Sequence, residues 1–173
     1  LILGGTKFVG RHLAEAALDR GWNVTLFHRG QTNPDILPDA THLNGDRLED
    51  LSALAGREWD FCADTCAYFP RAIRLAGEAL AGKVQRMAFV STISVYADSE
   101  ATRVGSPVAT IDNPETEEVT GETYGALKAL CESELQRIWG DKCWTVRPGI
   151  IAGPYDPTDR FTYWVDRVAR FKA

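Results

Sequence analysis

Several things are scarce in this chain, and each scarcity removes a class of function. No apolar run approaches the roughly 20 residues that a membrane-spanning helix needs, and no secretory signal pattern opens the sequence. Basic residues form no block. With 19 Lys and Arg against 24 Asp and Glu, the formal net charge is -5, which disfavours a nucleic-acid partner whose affinity would rest on neutralising phosphates. The four cysteines, Cys62, Cys66, Cys131 and Cys143, have no His or second Cys pair nearby at zinc spacing, so no metal centre is expected. A disulfide framework would be unusual in a domain with a full core. All four thiols therefore read as small buried hydrophobes, in a reducing, cytoplasmic setting. Internal repeats and low-complexity tracts are missing too. The chain has no initiating Met and begins inside the apolar run Leu1-Ile2-Leu3; both ends are expected to be cut, with a C-terminal part absent.

What remains is 173 residues, 45% hydrophobic and 25% charged, enough for one well-buried domain and little more. Short β-like runs alternate with longer helix-like stretches, the pattern of a doubly wound parallel α/β sheet. Strands are expected at Leu1–Leu3, Trp22–His28, Thr41–Leu43, Phe61–Thr65, Arg86–Ser91 and Trp144–Arg147. Helices are expected at Gly10–Arg20, Arg47–Ala55, Arg71–Ala81 and Glu122–Ile138. Right-handed crossovers give a Rossmann-type strand order of 3-2-1-4-5-6. One long irregular segment, about residues 97–121, carries Asp98, Glu100, Asp112, Glu115, Glu117 and Glu118, and is expected to act as a mobile flap over a substrate.

The first chemical motif is Gly4-Gly5-Thr6-Lys7-Phe8-Val9-Gly10, set between a strand and a helix. A tight turn there lets the free N–H groups of a helix start face an anion, and Lys7 adds a cation beside them. Gly4 makes the turn, and Gly10 lets the helix pack close to the sheet. At the end of the second strand, Val24-Thr25-Leu26-Phe27-His28-Arg29-Gly30 has no carboxylate where an NAD-preferring fold would bond the ribose hydroxyls. Arg29 could instead clamp a 2′-phosphate, with Lys7 opposite, so NADP is expected and NAD is also admitted; a plain surface Arg in a turn is the other reading. Such a charge-assisted bond contributes about 1.5–3 kcal/mol.

The strongest signal is Tyr124-Gly125-Ala126-Leu127-Lys128, because residues four apart share a helix face. An ammonium about 4 Å from a phenolate stabilises it by about 4 kcal/mol at an effective dielectric near 20. A phenol so placed becomes a usable general acid or base.

The glycine run resembles the T-G-x-x-G-x-x-G fingerprint of short-chain dehydrogenases/reductases, above all the extended group related to NAD-dependent nucleotide-sugar epimerases and dehydratases. Leu3 stands where that pattern has Thr, and Lys7 replaces the middle Gly; some atypical relatives carry a basic residue there, in a G-G-T-[KR]-F-[IV]-G form. The resemblance implies that Gly4, Thr6, Lys7, Phe8, Val9 and Gly10 hold the cofactor. Gly45-Asp46-Arg47 resembles the element in which Asp46 would read adenine and Arg47 would lie against the ring; Asp46 could also cap the next helix. Cys66 and Ala67 occupy the place where relatives line the phosphates with small residues. Phe89–Tyr96 resembles the strand-end pattern that makes Thr92 the substrate-orienting hydroxyl, with Ser94 in reserve. Arg147–Pro154 resembles the segment whose backbone, at Pro148 and Ile150, contacts the nicotinamide carboxamide; Ala152 replaces the usual Tyr.

The implied activity is hydride transfer at a carbinol or carbonyl carbon of a small-molecule carbonyl or sugar-nucleotide substrate. Catalysis would fall to Thr92, Tyr124 and Lys128, and Lys128 would also hold the nicotinamide ribose. Ile93-Ser94 after Thr92 lacks the Asp-Glu pair of dehydratases. Residues 1–153 would form the dinucleotide-binding domain and 154–173 the start of a substrate-binding lobe. Relatives commonly form homodimers through the helix of Tyr124. The alternative is a non-catalytic dinucleotide-binding scaffold or RNA-binding regulator, since relatives with a basic glycine turn include plastid stem-loop-binding proteins.

Overall fold

Alternating side chains on each short strand decide which layer they join. In a computed structural model that describes residues 1–100 and 102–171, β1 (Ile2–Leu3) sends Ile2 to one face and Leu3 to the other. Its parallel neighbour β2 (Thr25–His28) does the same with Leu26 and Phe27. Ile2, Val24 and Leu26 pack with Ala14 of helix α1 (Phe8–Leu18). Leu3 and Phe27 join Phe89, Met87 and the buried faces of α2 (Pro70–Leu80) and α3 (Tyr124–Trp139). Two faces buried on a parallel sheet explain why these strands read as nearly continuous apolar runs.

The remaining strands are β3 (Thr41–Asn44), β4 (Trp59–Asp64), β5 (Val84–Val90) and β6 (Cys143–Val146). All neighbours run parallel, in the order β3-β2-β1-β4-β5-β6, so the expected doubly wound topology is present. The order reverses between β1 and β4, and ligands of such sheets bind outside the carboxyl ends of the strands at that crevice. On β6, Trp144 and Val146 remain exposed, with Trp144 stacked on Phe61 at 5.3 Å between ring centres. The last helix, α4 (Arg160–Arg170), exposes Phe161, Trp164 and Val168. No described helix is long and apolar enough to cross a membrane.

One expected element is absent. Residues 47–55 do not form an α-helix; they hold a tight turn and a short 3-10 turn at Ser52–Leu54. Asp46 captures the chain first, its carboxylate accepting the Leu48 N–H at 2.9 Å and its carbonyl accepting the Asp50 N–H at 2.7 Å. Asp50 repeats the device on Ser52 at 2.9 Å. Such side-chain bonds compete with helical ones. Within the acidic segment, Glu117 pairs with Arg71 and Glu115 with Arg74 on α2.

Candidate active site

The glycine turn works by close approach. A methyl on Gly10 would come within 2.7 Å of the Gly5 nitrogen, so only glycine lets α1 start this near the strand end. Gly4, with φ of 98°, turns the chain out of β1 while its N–H donates to Phe27 O at 2.9 Å. The amides of Thr6, Lys7, Phe8 and Val9 donate to no group among the described residues and are free for an anion.

Over this turn lies a cavity of 330 Å3, within the size range of small-molecule sites. It gathers Gly4, Thr6 and Lys7 from the turn, His28, Arg29 and Gly30 from the end of β2, Asp46 and Arg47 from the end of β3, and Cys66 and Tyr68 from beyond β4. Its apolar wall includes Leu3, Phe27, Leu48 and Phe69. Lys7 and Arg29 are exposed at the rim. Free amides, two rim cations and an apolar slot edged by Asp46 match the chemistry of a dinucleotide, anionic in the middle and flat at the end. Phe8, Val9 and Gly10 stand behind the lining; the Phe8 ring faces His12, 6.4 Å between ring centres.

Arg47 corrects one expectation. Its guanidinium does not offer a free face to a base, because it turns inward to Asp64, bonding both carboxylate oxygens at 2.8 and 2.7 Å, with further bonds to Cys66 Sγ and Ala72 O at 3.0 Å each. Asp64 is completely buried. Burial alone would raise its proton affinity, yet the Arg47 charge and hydrogen bonds hold it below the usual carboxylate range. Burial likewise pushes the Cys66 thiol up. A carboxylate inside the apolar run Phe61-Cys62-Ala63-Asp64 was the available signal for this pair, since such a charge requires a partner.

The second cluster adjoins the cavity through Tyr68. Its ring lies 6.4 Å from that of Tyr124, and Lys128 Nζ sits 5.7 Å from its centre. Lys128 is buried and donates to the carbonyls of Val90 at 2.7 Å and Ala67 at 2.9 Å; burial pushes its pKa down to about 8, against the attraction of Asp64. Among the described residues no hydrogen bond joins Lys128 to the Tyr124 phenol. Thr92 caps the 3-10 turn Ile93–Val95, its Oγ1 accepting the Ser94 N–H and donating to Ser94 Oγ, both at 3.1 Å. Gly125 packs against the Ser94 carbonyl, which draws the start of α3 onto this turn. Pro148 O accepts the Ile93 N–H at 2.9 Å, whereas Ile150 is exposed at the edge. Tyr68 and His28 were not singled out in the sequence; nothing local marks an aromatic or a histidine at a strand end as cavity-lining.

The model of the NAD dependent epimerase/dehydratase family matches residues 1–172. The chain belongs to that family. A chloroplast stem-loop binding protein of 41 kDa (b form) from Arabidopsis thaliana is 28% identical, over 94% of this chain and 45% of that protein. Among solved structures, a UDP-galactose 4-epimerase superposes with a TM-score of 0.67 at 22% identity, covering 84% of this chain and 54% of its own. A UDP-glucuronic acid 4-epimerase from Bacillus cereus, solved in complex with NAD, gives 0.65 at 18% identity, covering 90% and 57%. The chain thus spans about half the length of these relatives, and the structural likenesses bear on the fold. Among the described residues, no group of three His, Cys, Asp or Glu could hold a metal ion.

Proposed function

We propose that this family member is an NAD(P)-dependent oxidoreductase or epimerase that prefers NADP and acts at a carbinol or carbonyl carbon, on a small carbonyl compound or a sugar nucleotide. The observation that carries the reading is the continuity between the cavity at the glycine turn and the Tyr124–Lys128 cluster, made by Tyr68. The free amides of the turn and Lys7 would hold the pyrophosphate, Arg29 the 2′-phosphate, and Asp46 the adenine edge. Cys66 and Ala67 would lie along the phosphates, with Pro148 and Ile150 near the nicotinamide. When bound, the dinucleotide supplies the hydride donor or acceptor.

This chain's own residues manage the proton. Tyr124 gives a proton to the substrate oxygen in reduction and removes it in oxidation. Thr92, its hydroxyl fixed by Ser94, orients that oxygen. Lys128, seated on the Val90 and Ala67 carbonyls and one helical turn beyond Tyr124, would hold the nicotinamide ribose and favour the phenolate through its charge. Residues 154–173 would begin a substrate-binding lobe. A cytoplasmic location agrees with four unbridged thiols.

A second reading, a scaffold that binds a dinucleotide or RNA without turnover, draws on the stem-loop binding relative and on the missing Tyr124–Lys128 hydrogen bond. The test is Tyr124→Phe, assayed for NADPH oxidation across carbonyl and sugar-nucleotide substrates. Loss of turnover with cofactor binding retained supports the enzyme. Wild-type protein that binds cofactor and turns over no substrate in the screen supports the scaffold.

A further inference from the structure

Two histidines border the cavity and play no part in the chemistry above. His28 ends β2, is buried and lines the cavity. His42 lies in β3, opposite Leu26, so the two rings meet on a diagonal, 5.1 Å between centres and nearly perpendicular. Three hydrogen bonds define where the protons sit. The Gly30 N–H donates to His28 Nδ1 at 3.0 Å, so that nitrogen carries no proton. His28 Nε2–H then donates to His42 Nδ1 at 2.8 Å, and His42 Nε2–H donates to Leu37 O at 3.3 Å. In this bonding pattern each ring donates through Nε2–H and accepts at Nδ1. The far end rests on Leu37, a left-handed residue with φ of 55° whose carbonyl also accepts the Ala40 N–H.

Arg29 stands between the two residues that close this turn. The backbone that carries it is held by an imidazole instead of a carbonyl, and the following loop is tied to the glycine turn by Asn33 Nδ2 donating to Thr6 O at 3.0 Å. We propose that the His28–His42 pair is a specificity-determining positioning device. It holds the Arg29–Gly30 turn in the shape that receives a 2′-phosphate, and it releases that turn when the pair takes up a proton. The inference rests on the NADP reading of Arg29.

Among the titratable and charged groups, His42 of β3 meets the His28 ring directly, while Lys7 of the glycine turn, Asp46 and Arg47 after β3, and Arg29 of its own turn line the same cavity. Burial first, and then repulsion from His42 whenever that ring is protonated, lowers the proton affinity of His28 below the ordinary histidine value. The device is therefore intact at neutral pH and fails only on acidification. A protonated Nδ1 would face the Gly30 N–H donor to donor, and that bond would be lost. If an imidazolium merely added charge beside the phosphate, acid would strengthen NADP binding, the opposite slope.

The test is calorimetric titration with NADP+ and NAD+ between about pH 8 and about pH 5.5, on the wild type, His28→Asn and His28→Leu. Asparagine can still accept from Gly30 in an Asx turn but does not titrate. At the alkaline end, wild type and His28→Asn should prefer NADP+ by about tenfold or more, and His28→Leu by less than about threefold. On acidification the wild-type preference should fall about fivefold further than that of His28→Asn. Ionisation of the 2′-phosphate itself, near pH 6, affects both proteins alike and cancels. Full preference in His28→Leu, or a wild-type preference that rises in acid, overturns the inference. If the wild type shows no preference at the alkaline end, the Arg29 reading has failed and the inference falls with it. Should His28→Leu not fold, the comparison with His28→Asn decides alone. Nitrogen NMR of the imidazoles gives an independent readout: both rings should carry the proton on Nε2, and an Nδ1–H tautomer of His28 contradicts the proposal.

Discussion

Gly125 of α3 lies flush against the carbonyl of Ser94, so close that an added methyl would overlap the oxygen. This contact brings the helix bearing Tyr124 and Lys128 onto the turn bearing Thr92, and the first prediction follows from it. Gly125→Ala should force the helix away from the turn and destabilise the fold by about 1–3 kcal/mol, as overpacking does. A shift near 1 Å would lower turnover by about a hundredfold. Urea unfolding and NADPH-linked turnover check both halves; unchanged turnover would detach Gly125 from the site's geometry.

The Arg47–Asp64 pair should be costly to break from either side. Asp64→Ala strands a buried guanidinium and should lose about 3–5 kcal/mol in urea unfolding. Replacing both residues, Arg47→Met with Asp64→Leu, should recover most of that loss. Because the Asp64 carboxyl is held below the unfolded value near 3.9, its contribution is present above about pH 4 and disappears as pH falls through the folded value. The wild type should therefore lose stability below about pH 4 more steeply than the double variant.

Lys128 gives a prediction in the alkaline range. Its pKa, pushed down to about 8 by burial, lies below the unfolded value, so the unfolded chain binds more protons between the two. Stability should rise as pH climbs from about 8 toward about 10.4, and Lys128→Met should flatten that rise. Carbon NMR of the labelled lysine side chain should show a midpoint about 8; a midpoint near 10 would mean the ammonium is better solvated than its two carbonyl bonds indicate.

The sheet order was legible because six apolar runs are separated by stretches of helical periodicity, and parallel burial leaves no other use for them. The Tyr124-x-x-x-Lys128 spacing was legible because a helix face is a local property. The pairings Arg47–Asp64 and His28–His42 were not, since the first joins the turn after β3 to the end of β4 past two intervening strands, the second crosses from β2 to β3, and both exist only once strand order and register are set. Residues 47–55 looked helical from their apolar spacing. Their actual turn depends on Asp46 and Asp50 bonding to nearby backbone amides, and periodicity does not register such bonds.

The acidic segment should answer to salt. Arg71 and Glu117 meet at the surface and fasten 113–120 to α2, and such exposed pairs are screened at high ionic strength. Hydrogen exchange across 113–120 should speed up in molar salt or in Glu117→Gln, with α2 itself unaffected. Equal acceleration in α2 would mean that the helix depends on the segment.

Cofactor binding decides the oxidoreductase assignment most directly. Calorimetric titration of the protein with NADPH and with NADH should show NADPH bound tighter by about tenfold or more, about 1.4 kcal/mol, with Arg29→Ala bringing the two to parity. Binding of neither dinucleotide would contradict the reading of the glycine turn and its cavity, and the oxidoreductase assignment with it.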